Sequence, residues 1–245
     1  MTSLTVIIPA YNEIDYIEDA IKSVEFADQI IVIDSLSTDG TKEKAEEMGC
    51  QVLSRKFDDF SSQKNYAISY AKGDWILFLD ADERITPKSK NEILEVITHD
   101  TYGAYTISIP HFYMNRFLYH LKNKIIRLAK NDQLRFEGAV HEKLIHTGKL
   151  GKLDHFLIHY TYKGLFPYIS KKDSYAWFQA QMSLDKNKKP HFYLLVFKPF
   201  YRFFHTYFIR RGFLDGVPGL AVSVIDAYGV FSRYVKMILI EKELK

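Results

Sequence analysis

Short apolar segments alternate with helical patterns through the first hundred residues, and this alternation restricts the fold more than any other feature. Between the first two segments, apolar residues recur at helical spacing. Strands that are apolar on both faces and separated by helices predict an α/β fold with a mostly parallel sheet and helices on each side. The predicted strands are LTVIIPA (4–10), QIIVID (29–34), CQVLS (50–54) and WILFLD (75–80).

Glycine, threonine and proline mark the predicted helix boundaries. Gly49 is predicted to end the helix after SLSTDGT, and Gly73 is predicted to close a helix over residues 61–72. Thr86 and Pro87 supply a cap and a first-turn proline for a helix that continues through Ile97. Each predicted strand is therefore followed by a short polar loop.

These loops are the first place to look for function. Right-handed crossovers put the C-terminal ends of parallel strands on one edge of the sheet, and such sheets bind ligands at that edge. The candidate residues are Tyr11-Asn12-Glu13, Asp34-Ser35 and Asp80-Ala81-Asp82-Glu83.

The last of these groups places three acids within four positions. An uncompensated cluster of carboxylates is unfavourable, whereas a bound divalent cation makes it favourable. Asp80 and Asp82 suit Mg²⁺, which takes one or two protein carboxylates and shares its other positions with water and phosphate. A solvated turn with a helix cap is the simpler alternative for an isolated pair of aspartates.

Four motifs in order resemble the nucleotide-sugar half of family 2 glycosyltransferases, which have the GT-A fold. They are PAYNE (9–13), Asp34 followed by STDGT (37–41), QKN (63–65) and DADE (80–83). The resemblance implies a Rossmann-like, mostly parallel central sheet with flanking helices. It also implies a nucleotide-sugar donor and a Mn²⁺ or Mg²⁺ ion.

The family's binding residues transfer to matching positions of this sequence. The resemblance assigns the nucleoside to the first two loops, the diphosphate to Lys64, and the ribose and metal to the DADE segment. The implied nucleotide-sugar-binding residues are Pro9, Ala10, Tyr11, Glu13, Asp34, Lys64, Asp80, Ala81 and Asp82, with Asp80 and Asp82 also as metal ligands.

Each of these residues also has a structural alternative. Glu13 suits the N-terminus of a helix, Asp34 suits a turn, and Lys64 suits a solvated helix face. Their convergence on one sheet edge favours the binding interpretation.

The second half has strands of mixed polarity, AYTISI (104–109) and KIIRLAK (124–130), and then the segment RFEGAVHEKLIHTG (135–148). Inverting transfer needs a base that removes the proton of the acceptor hydroxyl. We expect Glu142 to be this base and His141 to orient the substrate, since VHE resembles bacterial lipopolysaccharide-core glucosyltransferases. The alternative is that Glu142 pairs with Lys143 or Arg135 on a surface strand.

DHFLIHYTY contains two histidines, and enzymes with the GT-A fold often complete the metal shell with a histidine at this stage of the chain. His159 is the expected third metal ligand, with His155 as the other candidate. Imidazole is acceptable to Mn²⁺. A purely structural histidine is the alternative.

From about residue 186 the chain becomes basic and aromatic. Residues 191–211 are too interrupted by charges and proline to cross a bilayer, but Lys198, Arg202 and His205 form one polar stripe at helical spacing. This pattern predicts a helix at a membrane surface. Packing on the catalytic domain or in a homodimer is the alternative.

The sequence therefore predicts a catalytic domain over 1–185, with a nucleotide-sugar half (1–100) and an acceptor half (101–185), and a helical membrane-associating extension over 186–245. The net charge of +3 is too small for a general nucleic-acid binder. The single cysteine excludes an internal disulfide, and the N-terminal sequence lacks the pattern of a secretory signal. Both features predict a cytoplasmic protein, and the basic aromatic segment predicts that it is peripheral on the inner face of the cytoplasmic membrane.

The expected activity is transfer of a sugar, most simply from a UDP-sugar, to a lipid-linked saccharide such as lipopolysaccharide core. One rival is a polyprenyl-phosphate sugar synthase, whose phosphate acceptor needs no general base. Another is a non-catalytic nucleotide-sugar-binding protein that serves as a membrane adaptor.

Overall fold

The computed structural model describes residues 2–99, 101–138, 142–159 and 164–244. The described residues form two compact units. We call Met1–Ile109 with Asn123–His159 the sheet unit, and Pro110–Lys122 with Tyr160–Lys245 the helical unit.

Within the described residues, eight strands form one mixed sheet in the order β3-β2-β1-β4-β7-β6-β10-β5. The first four neighbours are parallel, β7 is antiparallel to β4, and β5 is antiparallel to β10. The strands are β1 (Leu4–Ala10), β2 (Gln29–Asp34), β3 (Gln51–Ser54), β4 (Trp75–Phe78), β5 (Glu83–Ile85), β6 (Ala104–Tyr113), β7 (Arg116–Lys130) and β10 (Leu150–His159). A separate antiparallel pair consists of β8 (Arg135–Glu137) and β9 (Lys143–Ile145).

Helices cover both faces of the parallel strands, because consecutive strand residues point to opposite sides. Val6 and Ile8 belong to one core cluster with residues of α1, α2 and α4, whereas Ile7 belongs to a second cluster with Ala67 of α3. The predicted α/β fold is confirmed. These helices are α1 (Ile14–Lys22), α2 (Thr41–Glu47), α3 (Phe60–Ile68) and α4 (Pro87–Val96).

Most of the predicted helix boundaries are confirmed. The Thr86 side chain accepts a hydrogen bond from the backbone of Ser89, Pro87 is the first residue of α4, and Gly49 has a φ of +78° just after α2. The prediction for Gly73 is wrong, because α3 already ends at Ile68. A Cβ atom at Gly73 would lie 2.6 Å from the backbone nitrogen of Thr5, so glycine is needed for close approach to β1.

In the described part of the helical unit, three long helices surround a small core. They are α5 (Leu165–Asp185), α6 (Phe192–Phe204) and α7 (Gly216–Glu241). A π-helical turn, His205–Ile209, and a 3₁₀ turn, Gly212–Asp215, connect the last two. The core consists of Tyr113, Leu118, Leu121, Tyr168, Val222 and Ile225.

The turn between α6 and α7 is fixed by tight contacts. The buried carboxylate of Asp215 accepts hydrogen bonds from the backbone nitrogens of Leu121 (3.0 Å) and His120 (3.4 Å). A Cβ atom at Gly219 would lie 2.0 Å from the carbonyl oxygen of Gly212, so only glycine fits there. The segment GFLDGVPGL (212–220) therefore has a structural role in this unit.

Among the described residues, one helical segment, Gly212–Glu241, is long and apolar enough to cross a membrane by length and composition. One third of the most apolar 18-residue stretch of this segment is buried within the protein. The composition change at residue 186 falls directly after α5, and the domain boundary placed there stays a prediction.

Candidate active site

The loops after β1 and β2 are held together by hydrogen bonds. The Asn12 backbone nitrogen donates to Ser37 Oγ at 2.9 Å, and the Asn12 side chain accepts from the Thr38 nitrogen at 2.9 Å. The Glu13 nitrogen donates to Thr41 Oγ1 at 2.8 Å. The STDGT segment thus fixes the loop that carries exposed Tyr11 and the start of α1.

Asp34 ends β2 and is almost fully buried. Its carboxylate accepts hydrogen bonds from the backbone nitrogens of Leu36 (3.0 Å) and Ser37 (3.1 Å). It therefore forms the turn that sequence analysis left as an alternative to nucleoside binding. Pro9 and Ala10 are paired in register with Ile33 and Asp34, so the ends of β1 and β2 are level.

A buried arginine, Arg127 of β7, lies against the acids that follow β4. Its guanidinium donates to both carboxylate oxygens of Asp80, at 2.5 and 3.3 Å, and to Glu83 Oε1 at 2.6 Å. Glu83 is fully buried and also accepts from the Asp80 nitrogen at 3.1 Å. Charge repulsion within DADE is thus compensated by the protein itself.

The electrostatics of this group follow from burial and pairing. Burial alone would raise the pKa of Asp80, but Arg127, with smaller contributions from Lys64 and His159, holds it below its usual value. Burial raises the pKa of Glu83 against the opposing effect of Arg127. Burial alone would lower the pKa of Arg127, but its two carboxylate partners raise it further above its usual value. Asp80 and Arg127 therefore form a charged pair at neutral pH.

Asp82 faces the end of β10. His159 Nε2 lies 3.0 Å from its Oδ2, although 77 residues separate the two positions in the sequence. Burial alone would lower the pKa of His159, but the contact with Asp82 and the nearby acids raises it. His155 lies elsewhere, with its Nδ1 2.9 Å from Glu92 on α4.

The side chains of Asp82 and His159 fit a divalent cation better than the side chain of Asp80 does. An oxygen and a nitrogen donor lie 3.0 Å apart, and this donor pair suits Mn²⁺. Both oxygens of Asp80 are already bound by Arg127. Within the described residues, no group of three or more histidine, cysteine, aspartate or glutamate side chains is arranged around a metal position, so water and phosphate oxygens would have to complete the shell.

Lys64 connects α3 to the segment with the expected base. Its Nζ lies 2.8 Å from Glu142 Oε1 and 4.8 Å from the centre of the Phe136 ring, and the lysine is mostly buried. Arg135 pairs with Glu137 instead of Glu142. His141 lies outside the described residues.

Asn65 anchors the same segment through backbone contacts. Its side chain donates to the Phe136 carbonyl at 2.9 Å and accepts from the Phe136 nitrogen at 2.7 Å, as a neighbouring strand would. Ser61 Oγ adds a bond to the Gly138 carbonyl at 2.5 Å. The QKN motif therefore positions β8 as well as supplying a cation.

The sequence did not identify two residues that position this site, Arg127 and Asn65. Arg127 interrupts the apolar run KIIRLAK, and a charge in a buried strand indicates a buried partner. Asn65 belongs to the QKN motif but resembles an ordinary helix residue until β8 is seen beside it. The site therefore combines a charge-balanced acidic turn, an oxygen and nitrogen donor pair, and a lysine paired with a carboxylate.

Comparison with known proteins agrees with this geometry. The family model described as glycosyl transferase family 2 matches residues 5–161. An uncharacterized glycosyltransferase of Rickettsia conorii is 31% identical over 92% of this chain and 86% of its own length. The lipopolysaccharide core biosynthesis glycosyltransferase LpsC of Rhizobium meliloti is 24% identical over 94% of this chain and 93% of its own length.

Among solved structures, glucosyl-3-phosphoglycerate synthase of Mycobacterium tuberculosis, determined with Mn²⁺, UDP and glucosyl-3-phosphoglycerate, is 24% identical. The match covers 44% of each chain, with a TM-score of 0.39. The family model spans more than half of the chain. The chain therefore belongs to glycosyl transferase family 2, as a glycosyltransferase that uses a nucleotide-sugar donor.

Proposed function

We propose that this enzyme transfers a sugar with inversion from a UDP-sugar to a hydroxyl of a lipid-linked saccharide such as lipopolysaccharide core. The observation that carries the proposal is the convergence of Asp82 with His159 and of Lys64 with Glu142 beside the end of β4. Together they supply a donor pair for a cation, a cation for phosphate, and a carboxylate for the acceptor.

In the proposed reaction the acceptor oxygen attacks the anomeric carbon on the face opposite the diphosphate. The carbon–oxygen bond to the β-phosphate breaks, its electron pair leaves with UDP, and the hydroxyl proton passes to the Glu142 carboxylate. A Mn²⁺ or Mg²⁺ ion held by Asp82 and His159 supplies positive charge that stabilises the leaving diphosphate.

Arg127 and Lys64 have different roles in this scheme. Arg127 holds Asp80 in a fixed orientation toward the donor ribose, supported by Glu83. Lys64 binds Glu142 before the donor arrives, and a diphosphate competes for the same ammonium group. Donor binding would then release Glu142 for proton transfer, which favours donor-first binding.

The proposed nucleoside site consists of the loop at Tyr11 and Glu13 with the turn at Asp34. Support comes from the position of both loops at the carboxyl ends of adjacent parallel strands, where such sheets bind nucleotides. The remaining proposed donor contacts are Pro9, Ala10 and Ala81. His141 is proposed to orient the acceptor from its place beside Glu142 in the sequence.

The lipid-linked acceptor is supported by similarity to LpsC and by the aromatic surface of residues 191–211. We place the enzyme in the cytoplasm at the inner face of the membrane, where nucleotide sugars and lipid-linked acceptors meet. A homodimer stays a prediction without support from the described contacts.

The test is a transfer assay with a panel of nucleotide sugars and membrane-extracted lipid-linked saccharides, run with and without Mn²⁺. UDP-sugars should raise the melting temperature in the presence of Mn²⁺, because ligands that bind the folded state stabilise it. One of them should label the lipid fraction. Transfer to a polyprenyl phosphate that is unaffected by Glu142→Gln would instead favour the sugar synthase.

A further inference from the structure

The helical unit has a small apolar core but exposes many large apolar side chains. Thr206, Ser223, Ser232 and Lys236 are buried in addition to that core, whereas aromatic and aliphatic residues cover much of the surface. We define the apolar face by the exposed residues Phe192, Tyr193, Val196, Phe197, Phe200, Tyr201, Phe204, Phe208, Ile209, Phe213, Leu214, Val217, Leu220 and Val224.

Two ion pairs join α5 to α7. Lys172 of α5 lies 2.5 Å from Asp226 of α7, and Lys236 of α7 lies 2.6 Å from Asp173 of α5. Lys236 also lies 5.0 Å from the ring centre of Trp177. Charged side chains thus pair between the two helices, while many aromatic rings lie on the surface of the unit.

Helix α6 carries much of this exposed apolar surface. All of Phe192–Phe204 is described, and none of these residues is buried. Exposed apolar residues recur every four positions from Phe192 to Phe208. Phe213 of the following turn and Val217, Leu220 and Val224 of α7 are also exposed. A surface of this extent on a folded protein indicates a partner or a membrane.

The charge around the apolar face distinguishes a membrane from a second copy of the chain. Residues 186–214 contain seven lysines and arginines and no aspartate or glutamate. A symmetric contact between two copies would bring this cationic segment against itself, which is unfavourable. Anionic lipid headgroups are complementary to it.

The length of α6 restricts how a bilayer can hold it. Thirteen residues of α-helix span about 20 Å, which is less than the roughly 30 Å of the hydrocarbon core. From Asp226 onward, α7 is tied to α5 through the ion pairs of Asp226 and Lys236. This geometry suits insertion into one leaflet, with helices in the membrane plane.

We propose that the apolar face is embedded in one leaflet of an anionic bilayer, with α6 and the first part of α7 in the membrane plane. The inference deepens the proposed transfer to a lipid-linked acceptor and rests on its membrane partner. It extends the lipid contact from residues 191–211 to Val224, and it makes insertion of apolar side chains, with charge in a supporting role, the main source of binding.

The test uses flotation with vesicles of phosphatidylethanolamine and phosphatidylglycerol in equal parts. The wild-type protein should float with the vesicles even at about 1 M salt, where the screening length is about 3 Å. The fourfold variant Phe197→Ser, Phe200→Ser, Val217→Ser, Leu220→Ser should lower the bound fraction more than about tenfold, because each buried methylene group contributes to insertion. The matched control, Phe57→Ser with Phe60→Ser, removes two exposed aromatic rings from the sheet unit and should bind like wild type.

A second measurement locates the inserted residues. The separate variants Phe200→Trp and Val217→Trp should both gain fluorescence quenching by lipids brominated in their acyl chains. Release of the wild type by salt, or quenching at position 200 alone, would overturn the proposal. Vesicle-free dimerisation that shields position 200 from a water-soluble quencher would overturn it in favour of a second copy.

Donor binding is measured on the same proteins. UDP-sugar affinity should stay at the wild-type level in the fourfold variant. A wild-type protein that inserts but binds no UDP-sugar would refute the proposed function and leave the inference standing, and the converse would refute the inference alone.

Discussion

The sheet unit and the helical unit differ in what they expose. The sheet unit has isoleucine, leucine and valine inside and admits charge at the edge that carries Arg127 and Glu83. The helical unit also has an apolar core, but it exposes many phenylalanines and tyrosines along α6. Exposed apolar surface of this extent is unfavourable in water, so the difference raises the question of what covers the helical unit, for which we propose lipid.

The largest expected effect concerns the carboxylate that the sheet unit places beside Lys64. Glu142→Gln should lower turnover by about 10²–10⁴, the usual contribution of a positioned base. UDP-sugar affinity should be retained or rise, because the variant weakens the competitor for Lys64. Steady-state kinetics and calorimetry with the donor measure the two quantities. Glu137→Gln, an exposed acid on β8, is the control. Loss of donor affinity with full turnover at saturation would assign Glu142 to binding.

Replacing the buried arginine tests whether its charge stabilises the fold of the sheet unit. Arg127→Met should lower the free energy of unfolding by about 3–5 kcal/mol, because it leaves Glu83 buried without its cation. Adding Glu83→Leu should restore part of the loss. Arg135→Met, whose partner Glu137 is exposed, should cost no more than about 1 kcal/mol. Equal losses in denaturant titrations of the two arginine variants would contradict this role.

The donor pair at the end of β10 gives the next effect. Asp82→Asn should lower Mn²⁺-dependent transfer by about 10²–10³, since it removes charge that acts on the leaving group. The melting temperature without ligands should hardly change, because Asp82 is partly exposed. Asp154→Asn, at an exposed position of β10, is the control. If Asp82→Asn had the turnover of the wild type in saturating Mn²⁺, the assignment of Asp82 as a metal ligand would be wrong.

The smallest effect belongs to the helical unit. Asp215→Asn should lower its stability by about 1–3 kcal/mol, because the amide replaces a carboxylate oxygen that faces a backbone N–H group. Asp185→Asn, at the exposed end of α5, should stay within about 0.5 kcal/mol of wild type. Hydrogen exchange at the amides of His120 and Leu121 measures the change locally. Unchanged protection there would mean that polar contacts do not hold this unit together.

The sheet was largely predictable from sequence because its signals are local. Segments 4–10 and 29–34 coincide with β1 and β2. Because parallel sheets bind ligands at the carboxyl ends of their strands, the residues after these segments became the candidates for the site. The three-residue strand β5 was missed, since Glu83–Ile85 is a strand only through pairing with β10, far along the chain.

The sequence suggested candidate site residues but not how they pair. Nothing in the sequence joins Lys64 to Glu142 or Arg127 to Asp80, because these contacts span 78 and 47 residues. The helix expected over 191–211 is divided at His205 into α6 and a π-helical turn. Helical periodicity does not anticipate this division, because a π turn inserts one residue without changing the composition.

The bond between Asp215 and the backbone at 120–121 has a consequence for synthesis of the chain. It joins residues 94 and 95 positions apart, and it brings residues 110–122 into one unit with residues from the C-terminal third. A ribosome releases the outer part of the β6 and β7 strands long before the residues that cover Leu118 and Leu121 emerge. Leu118 and Leu121 therefore lack part of their cover until Val222 and Ile225 have left the ribosome, and we expect chains that stop earlier to expose these two leucines.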